Sequence, residues 1–216
     1  CAVRSDGRSA SLTAPSGLAQ RQLIAAALAD GQTPPDALAL NEAHGTGTAL
    51  GDPIEAGSLV SAALLAREDA LGVGGVKANI GHAEPAAGMT GLLKLAIGLQ
   101  AGEAAPNAQL RSLNPHVGGA LHGVAGMVPV QIAAVTMGSG GVSSFGYSGT
   151  IAHAVLAFVQ DKVRKALAFG RAADLSEVLG FGPRGADQAG EPFLARCSER
   201  DAGRSTLVMR PPLTYR

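Results

Sequence analysis

The sequence predicts an α/β architecture, on three observations. Short apolar runs alternate with amphipathic stretches over residues 1–160. Three of those runs end in bends of small residues that carry polar or titratable side chains. Hydrophobic residues fill 46% of the 216 positions and charged ones 16%, which suits a chain that buries a core and excludes a disordered one.

Taken in order, residues 18–29 read as a helix with Ile24, Ala27 and Leu28 on one side. A short apolar strand over 37–40 runs into Asn41-Glu42-Ala43-His44-Gly45-Thr46-Gly47-Thr48. Asp52 then stands as an N-cap, with Pro53 at the first helical position and Glu55 three residues after the cap, the pattern of a capping box. Behind it Ala56, Leu59, Val60, Ala63 and Leu64 repeat at the spacing of one packed helix face. A strand is expected near 73–76, leading into Lys77-Ala78-Asn79-Ile80-Gly81-His82.

Pro85 opens a further helix carrying Met89, Leu92, Leu93, Ala96 and Ile97, and Leu95 with Leu99 makes it apolar almost all round. Such a helix is expected to be covered on more than one side, between layers. Residues 102–129, rich in Gly, Pro and Asn, read as loop. Residues 130–136 read as a strand, 138–149 as a glycine/serine turn, and 151–159 as a buried strand. Beyond residue 160 the pattern weakens into an Arg/Gly-rich tail or linker, with one helix plausible over 161–179.

Charge and composition exclude several classes. The chain is neutral overall, with 7 Lys and Arg against 10 Asp and Glu in residues 1–160 and 10 against 7 in 161–216. No global field recruits nucleic acid or an anionic membrane, and 3% aromatics without Trp offer no base-stacking platform. No apolar stretch reaches the length of a membrane span. Two cysteines, Cys1 and Cys197, make no disulfide framework and point to a reducing, intracellular setting. Gly45, Gly47 and Leu50 miss the dinucleotide-binding spacing, no Gly-Lys pair supports a phosphate loop, and Gly146-Tyr147-Ser148-Gly149 is one residue short of a nucleophile elbow. Two histidines without Cys or a paired-His helix motif predict no metal site.

The three bends hold His44-Gly45-Thr46-Gly47-Thr48, Lys77 through His82, and Ser143-Ser144-Phe145-Gly146-Tyr147-Ser148-Gly149-Thr150. In α/β sheets the carboxyl ends of strands form the crevice where ligands bind. Histidines on two such bends suit proton transfer, or hydrogen bonds to a developing oxyanion. His116 and His122 read as structural or exposed, and His153, inside an apolar run, as a hydrogen-bonded core residue.

Four stretches, EAHGTGTALGDPIEAGSL, VKANIGHAEPAAGMTGLLKLAIGL, PNAQLRSLNPHV and SSFGYSGTIAHAVL, resemble in order and spacing the C-terminal half of a β-ketoacyl synthase. The ketosynthase domain of modular polyketide synthases is the nearest likeness, and SDGRSASLTAPSG looks like the segment preceding its first histidine motif. The resemblance covers residues 1–160. It implies the thiolase-like layered α-β-α-β-α fold, in which two sheets enclose a helix layer. It also implies decarboxylative condensation of a malonyl-type unit with an acyl thioester, in polyketide or fatty acid synthesis. No cofactor would be bound by the chain; substrates would arrive on the phosphopantetheine of an acyl carrier protein, and the complete domain would be a homodimer. The setting implied is cytoplasmic, or plastid in a eukaryote.

By the same resemblance His44 and His82 are the catalytic histidines and Lys77 the motif lysine that orders them. Thr46 and Thr48 would bind the phosphopantetheine arm. Phe145, Gly146, Tyr147, Ser148 and Gly149 form the gating loop, with the Tyr147 N–H in the oxyanion hole. The chain departs from the family at Ile151, where Asn is usual, and at Tyr147, where Phe is frequent. Neither Cys1 nor Cys197 has the flanking sequence of the family's nucleophile, so the 216 residues read as a fragment expected to be inactive in condensation alone. The competing expectation is a half-domain that only decarboxylates, or that acts through protein interaction.

Overall fold

The computed structural model describes residues 1–7, 14–65, 67–135 and 138–157. The tail from 161 onward, its expected helix, Cys197 and the ends of the strands expected at 136 and 158–159 lie outside the described residues.

A six-stranded mixed sheet runs in the order β1-β8-β7-β2-β3-β5. Its strands are β1 (Ala2–Ser5), β2 (Leu38–Glu42), β3 (Leu71–Gly74), β5 (Gly126–Met127), β7 (Ser139–Phe145) and β8 (Thr150–Ala157). Strands β7, β2, β3 and β5 are mutually parallel, while β8 is antiparallel to β7 and β1 to β8. A two-residue pair, β4 (Glu103–Ala104) with β6 (Ala133–Ala134), forms a separate small sheet.

Helix α1 (Gly17–Asp30) is capped by Ser16, whose hydroxyl accepts from the Ala19 N–H. It packs with α2 (Gly51–Leu59) and a π turn over Val60–Leu64 on one face of the sheet. Ile24, Leu28, Leu59, Ala63 and Leu64 meet Leu38 and Leu71 there. Helix α4 (Ala87–Ala101) covers the opposite face, where Leu95 and Leu99 meet Leu40, Val142 and Ala104. Leu38 and Leu40 are two apart and would share a face in a regular strand. A register shift against β7 between them turns one to each layer. Each fully buried leucine in these clusters contributes roughly 1.5–3 kcal/mol.

Several local expectations are corrected. The stretch 138–149 is not a turn: most of it is β7, central in the sheet. Its glycines serve close packing, since a Cβ on Gly140 would stand 2.6 Å from Leu95 Cδ1, and one on Gly141 2.8 Å from both Asn41 Oδ1 and His153 Nε2. The loop expected over 102–129 contains β4, helix α5 (Pro115–Ala120) and β5. Among the described residues of 130–136 only β6 is extended. The strand expected at 73–76 lies at Leu71–Gly74, and a one-turn helix α3 (Lys77–Ile80) follows it. The capping box does not form. Helix α2 starts at Gly51 behind an uncapped Leu50, while the Asp52 and Glu55 carboxylates turn to the backbone of the preceding bend.

Among the described residues the helix after Pro85 is covered on one side only. Ala87, Gly91, Leu95 and Leu99 are buried, but Met89, Leu93 and Ile97 stay 55–65% exposed. The described residues thus supply the helix layer and one large sheet of the layered arrangement. His153 is the hydrogen-bonded core residue expected, 1% exposed with Nδ1 3.0 Å from Ser143 Oγ, and His116 and His122 are exposed.

Candidate active site

Strands β7, β2 and β3 run parallel and adjacent, so the bends after them leave the sheet at one edge. The bend after β2 carries His44, the one after β3 carries Lys77 and then His82, and β7 ends at Phe145. The structure therefore brings together the three bends singled out in the sequence. The His44 and His82 rings lie edge to face with centroids 5.9 Å apart, and the Phe145 ring is 5.4 Å from His44.

Hydrogen bonds to backbone orient both imidazoles. Phe145 N–H donates to His44 Nδ1 at 3.3 Å, and Glu84 N–H donates to His82 Nδ1 at 2.9 Å. A ring nitrogen that accepts carries no proton, so each neutral ring has its hydrogen on Nε2. The two rings thus each keep an Nε2–H donor.

Lys77 Nζ lies 3.5 Å from His44 Nδ1 and donates to the His44 carbonyl. Burial first, and then the Lys77 and His82 charges, lower the His44 pKa to about 4, so the ring is neutral near pH 7. Lys77 is itself lowered by burial, against the pull of Glu55, Glu42 and Asp52.

Glu55, 8% exposed, accepts the His44 N–H at 2.7 Å and the Gly45 N–H at 2.9 Å. Burial raises its carboxyl to about 7 despite those two bonds. Asp52 accepts the Gly47 N–H at 3.1 Å. Gly45 and Gly47 take φ of 48° and 77°, a region that favours glycine, which lets the chain turn away right after the histidine. The carboxylates read in the sequence as a helix cap thus shape the histidine bend instead. The backbone N–H groups of a tight turn have no ladder partner of their own, and a carboxylate within reach satisfies several of them at once.

A cavity of about 700 Å³ is lined by His44, His82, Thr46, Thr48, Phe145, Gly146 and Tyr147, together with Glu55, Asp6, Gln20 and Ile151. Thr48 Oγ1 accepts from the Gly51 N–H at 3.0 Å, and its own O–H remains a donor. The Gly146 to Gly149 turn closes through Gly149 N–H to Gly146 O at 3.0 Å, leaving Tyr147 at the mouth, 94% exposed. Ile151 is 2% exposed, so the family's amide is replaced by a buried aliphatic side chain. Asp6, Gln20 and the role of Glu55 escape a reading of motifs. Gln20 sits on a helix face otherwise apolar, and that single polar residue on the buried side was its only signal.

The mixed sheet with its covering helices is of the thiolase-like kind. Residues 1–111 match the family described as Beta-ketoacyl synthase, C-terminal domain, and the chain belongs to that family. It is 41% identical over 162 residues to a phenolphthiocerol/phthiocerol polyketide synthase of Mycobacterium tuberculosis (strain CDC 1551 / Oshkosh), covering 72% of this chain and 9% of that protein. It is 41% identical over 158 residues to erythronolide synthase EryA2 of Saccharopolyspora erythraea, covering 72% of this chain and 4% of that one. Among solved structures, ketosynthase twelve of the bacillaene polyketide synthase of Bacillus amyloliquefaciens matches with a TM-score of 0.66 at 35% identity, over 71% of this chain and 28% of that chain. The ketosynthase from module 1 of the bacillaene synthase of Bacillus amyloliquefaciens FZB42 matches with a TM-score of 0.68 at 34% identity, over 74% and 29%. The chain therefore spans a tenth or less of these two curated relatives and under a third of these two ketosynthase chains. Among the described residues no helix is long and apolar enough to cross a membrane, and no group of His, Cys, Asp or Glu could hold a metal ion.

Proposed function

We propose that residues 1–160 are part of a ketosynthase domain that carries out decarboxylative condensation in polyketide synthesis. In this reading a malonyl thioester enters the 700 Å³ cavity. Its bond to the carboxylate breaks, CO₂ leaves, and the electron pair moves into an enolate whose oxygen accepts from the Nε2–H groups of His44 and His82. The enolate carbon then attacks an acyl thioester, and the sulfur departs as thiolate. Lys77 and Phe145 N–H keep His44 neutral and in the donor tautomer, so its hydrogen bond strengthens as charge develops.

Thr46 and Thr48 hydroxyls line the same cavity and suit the amide carbonyls of a phosphopantetheine arm delivered by an acyl carrier protein. The Tyr147 N–H, without a partner among the described residues, suits the oxyanion of the acyl thioester, with Phe145, Gly146, Ser148 and Gly149 as the loop that admits it. Among the described residues no thiol lines the cavity. Dimerisation of the complete domain and a cytoplasmic setting belong to the same proposal.

The observation that carries this reading is the pair of Nδ1-anchored imidazoles 5.9 Å apart. The test measures CO₂ released from a malonyl thioester by the 216-residue chain and by its H44A and H82A variants. Removal of one oxyanion donor is expected to lower the rate about 10²- to 10³-fold. Equal rates in all three proteins refute the assignment. Addition of an acyl thioester is expected to yield no β-keto product, since neither cysteine has the flanking sequence of the family's nucleophile; condensation by this chain contradicts that expectation.

A further inference from the structure

The buried polar group that the site leaves unexplained is Glu42, 4% exposed at the end of β2. One carboxylate oxygen lies 2.7 Å from Lys94 Nζ, in the middle of α4. The other accepts the Val76 N–H. Glu42 precedes His44 by two residues, Val76 precedes Lys77 by one, and Lys94 belongs to the helix that follows His82. One carboxylate thus joins the three segments that bear His44, Lys77 and His82.

The surroundings are fitted to this junction. A Cβ on Gly74 would stand 2.6 Å from Lys94 Nζ and 2.8 Å from Glu42 Oε2, and a Cβ on Gly91 3.3 Å from Glu42 Cγ. Both approaches are open only because those positions are glycine. A buried ion pair adds little net stability over an apolar pair of equal volume, because desolvation offsets the attraction. Its distinctive property is direction: carboxylate, ammonium and amide must meet at hydrogen-bond distance.

We infer that the Glu42–Lys94 pair, through the Val76 amide, is a positioning device that sets the separation of the His44 and His82 rings. Neither residue lines the cavity at His44 and His82; both act through the segments they join. The inference rests on the proposed function for its catalytic consequence, but not for its geometry.

Nuclear Overhauser spectra of the 216-residue chain, with labelled histidines, read the ring-to-ring contact directly. The native protein is expected to show it, and E42Q and K94M to lose it while keeping their circular dichroism. K94R, which returns a cation to the same place, is expected to restore it. A ring displacement near 1 Å is expected to lower the rate of CO₂ release from a malonyl thioester about 100-fold in E42Q, in kcat and not in KM. Should E42Q fail to fold, E42Q/K94M removes both charges and leaves no unpaired ion. A folded E42Q or E42Q/K94M that keeps the native contact overturns the inference. Loss of the contact in a chain whose native form releases no CO₂ upholds the positioning and defeats the catalytic reading instead.

Discussion

His44 stays neutral because its surroundings punish a proton twice, by burial and by the nearby ammonium of Lys77. His153 is lowered to about 4 by burial in the core. Between pH 6.5 and about 4 the unfolded chain protonates both rings and the folded chain does not, so acid in that window favours unfolding. Glu55 works the other way. Its carboxyl, raised to about 7 from 4.5, contributes stability that is present at low pH and lost as pH rises through that interval. The thermal midpoint of E55Q is therefore expected to fall more steeply between about pH 6.5 and 4.5 than that of the native chain. A shallower slope in E55Q would contradict the assigned direction of the Glu55 shift. At this level motif alone singled out His44, His82 and Lys77, and the structure brings them close together. Glu55 was visible but misread, because a carboxylate in the first turns of a helix serves a cap or a neighbouring bend equally well until the bend is in place.

Among the elements, the glycine/serine stretch over 138–149 separates what composition suggests from what packing selects. Gly140 faces Leu95 and Leu99 across an interface too tight for any Cβ. G140A is expected to destabilise the fold by about 1–3 kcal/mol, the cost of overpacking. Gly57, in α2, has open space wherever a Cβ would stand. G57A is expected to stabilise by roughly 0.4–1 kcal/mol, through lower entropy of the unfolded chain. Urea titration of both variants decides this; a G140A chain as stable as the native one would remove the packing account of β7. Glycine in a central strand looks like a turn in sequence because the side chains that exclude its Cβ belong to α4, far earlier in the chain.

For the whole molecule, the outer side of α4 is the dominant feature. Met89, Leu93 and Ile97 form an exposed apolar stripe, and Ile80, Val130 and Ile132 are exposed as well. A cavity of about 510 Å³ opens beneath this side, among Leu93, Ile97, Ala101, Ala104, Pro129 and Ile132. Contiguous apolar surface of this kind drives association. Sedimentation of the chain is expected to show concentration-dependent self-association, reduced in L93E/I97E. A native chain that stays monomeric throughout would show that the stripe is tolerated in water. The all-round apolar pattern of this helix predicts cover on more than one side, and the described residues cover only the half that carries Ala87, Gly91, Leu95 and Leu99.

Local chemistry along the chain determined much of the alternation of helices and strands, the choice of two imidazoles and an ammonium as candidates, and the likeness to the ketosynthase family. These are carried by residue type and short-range spacing, where side-chain period and bend glycines act. Tertiary contact decided the rest: that 139–145 is a central strand, that Glu55 grips the histidine bend, that Leu38 and Leu40 face opposite layers, and that Glu42 meets Lys94. Each of those outcomes depends on groups brought close by folding from separate parts of the chain, and no local pattern encodes which of them will meet.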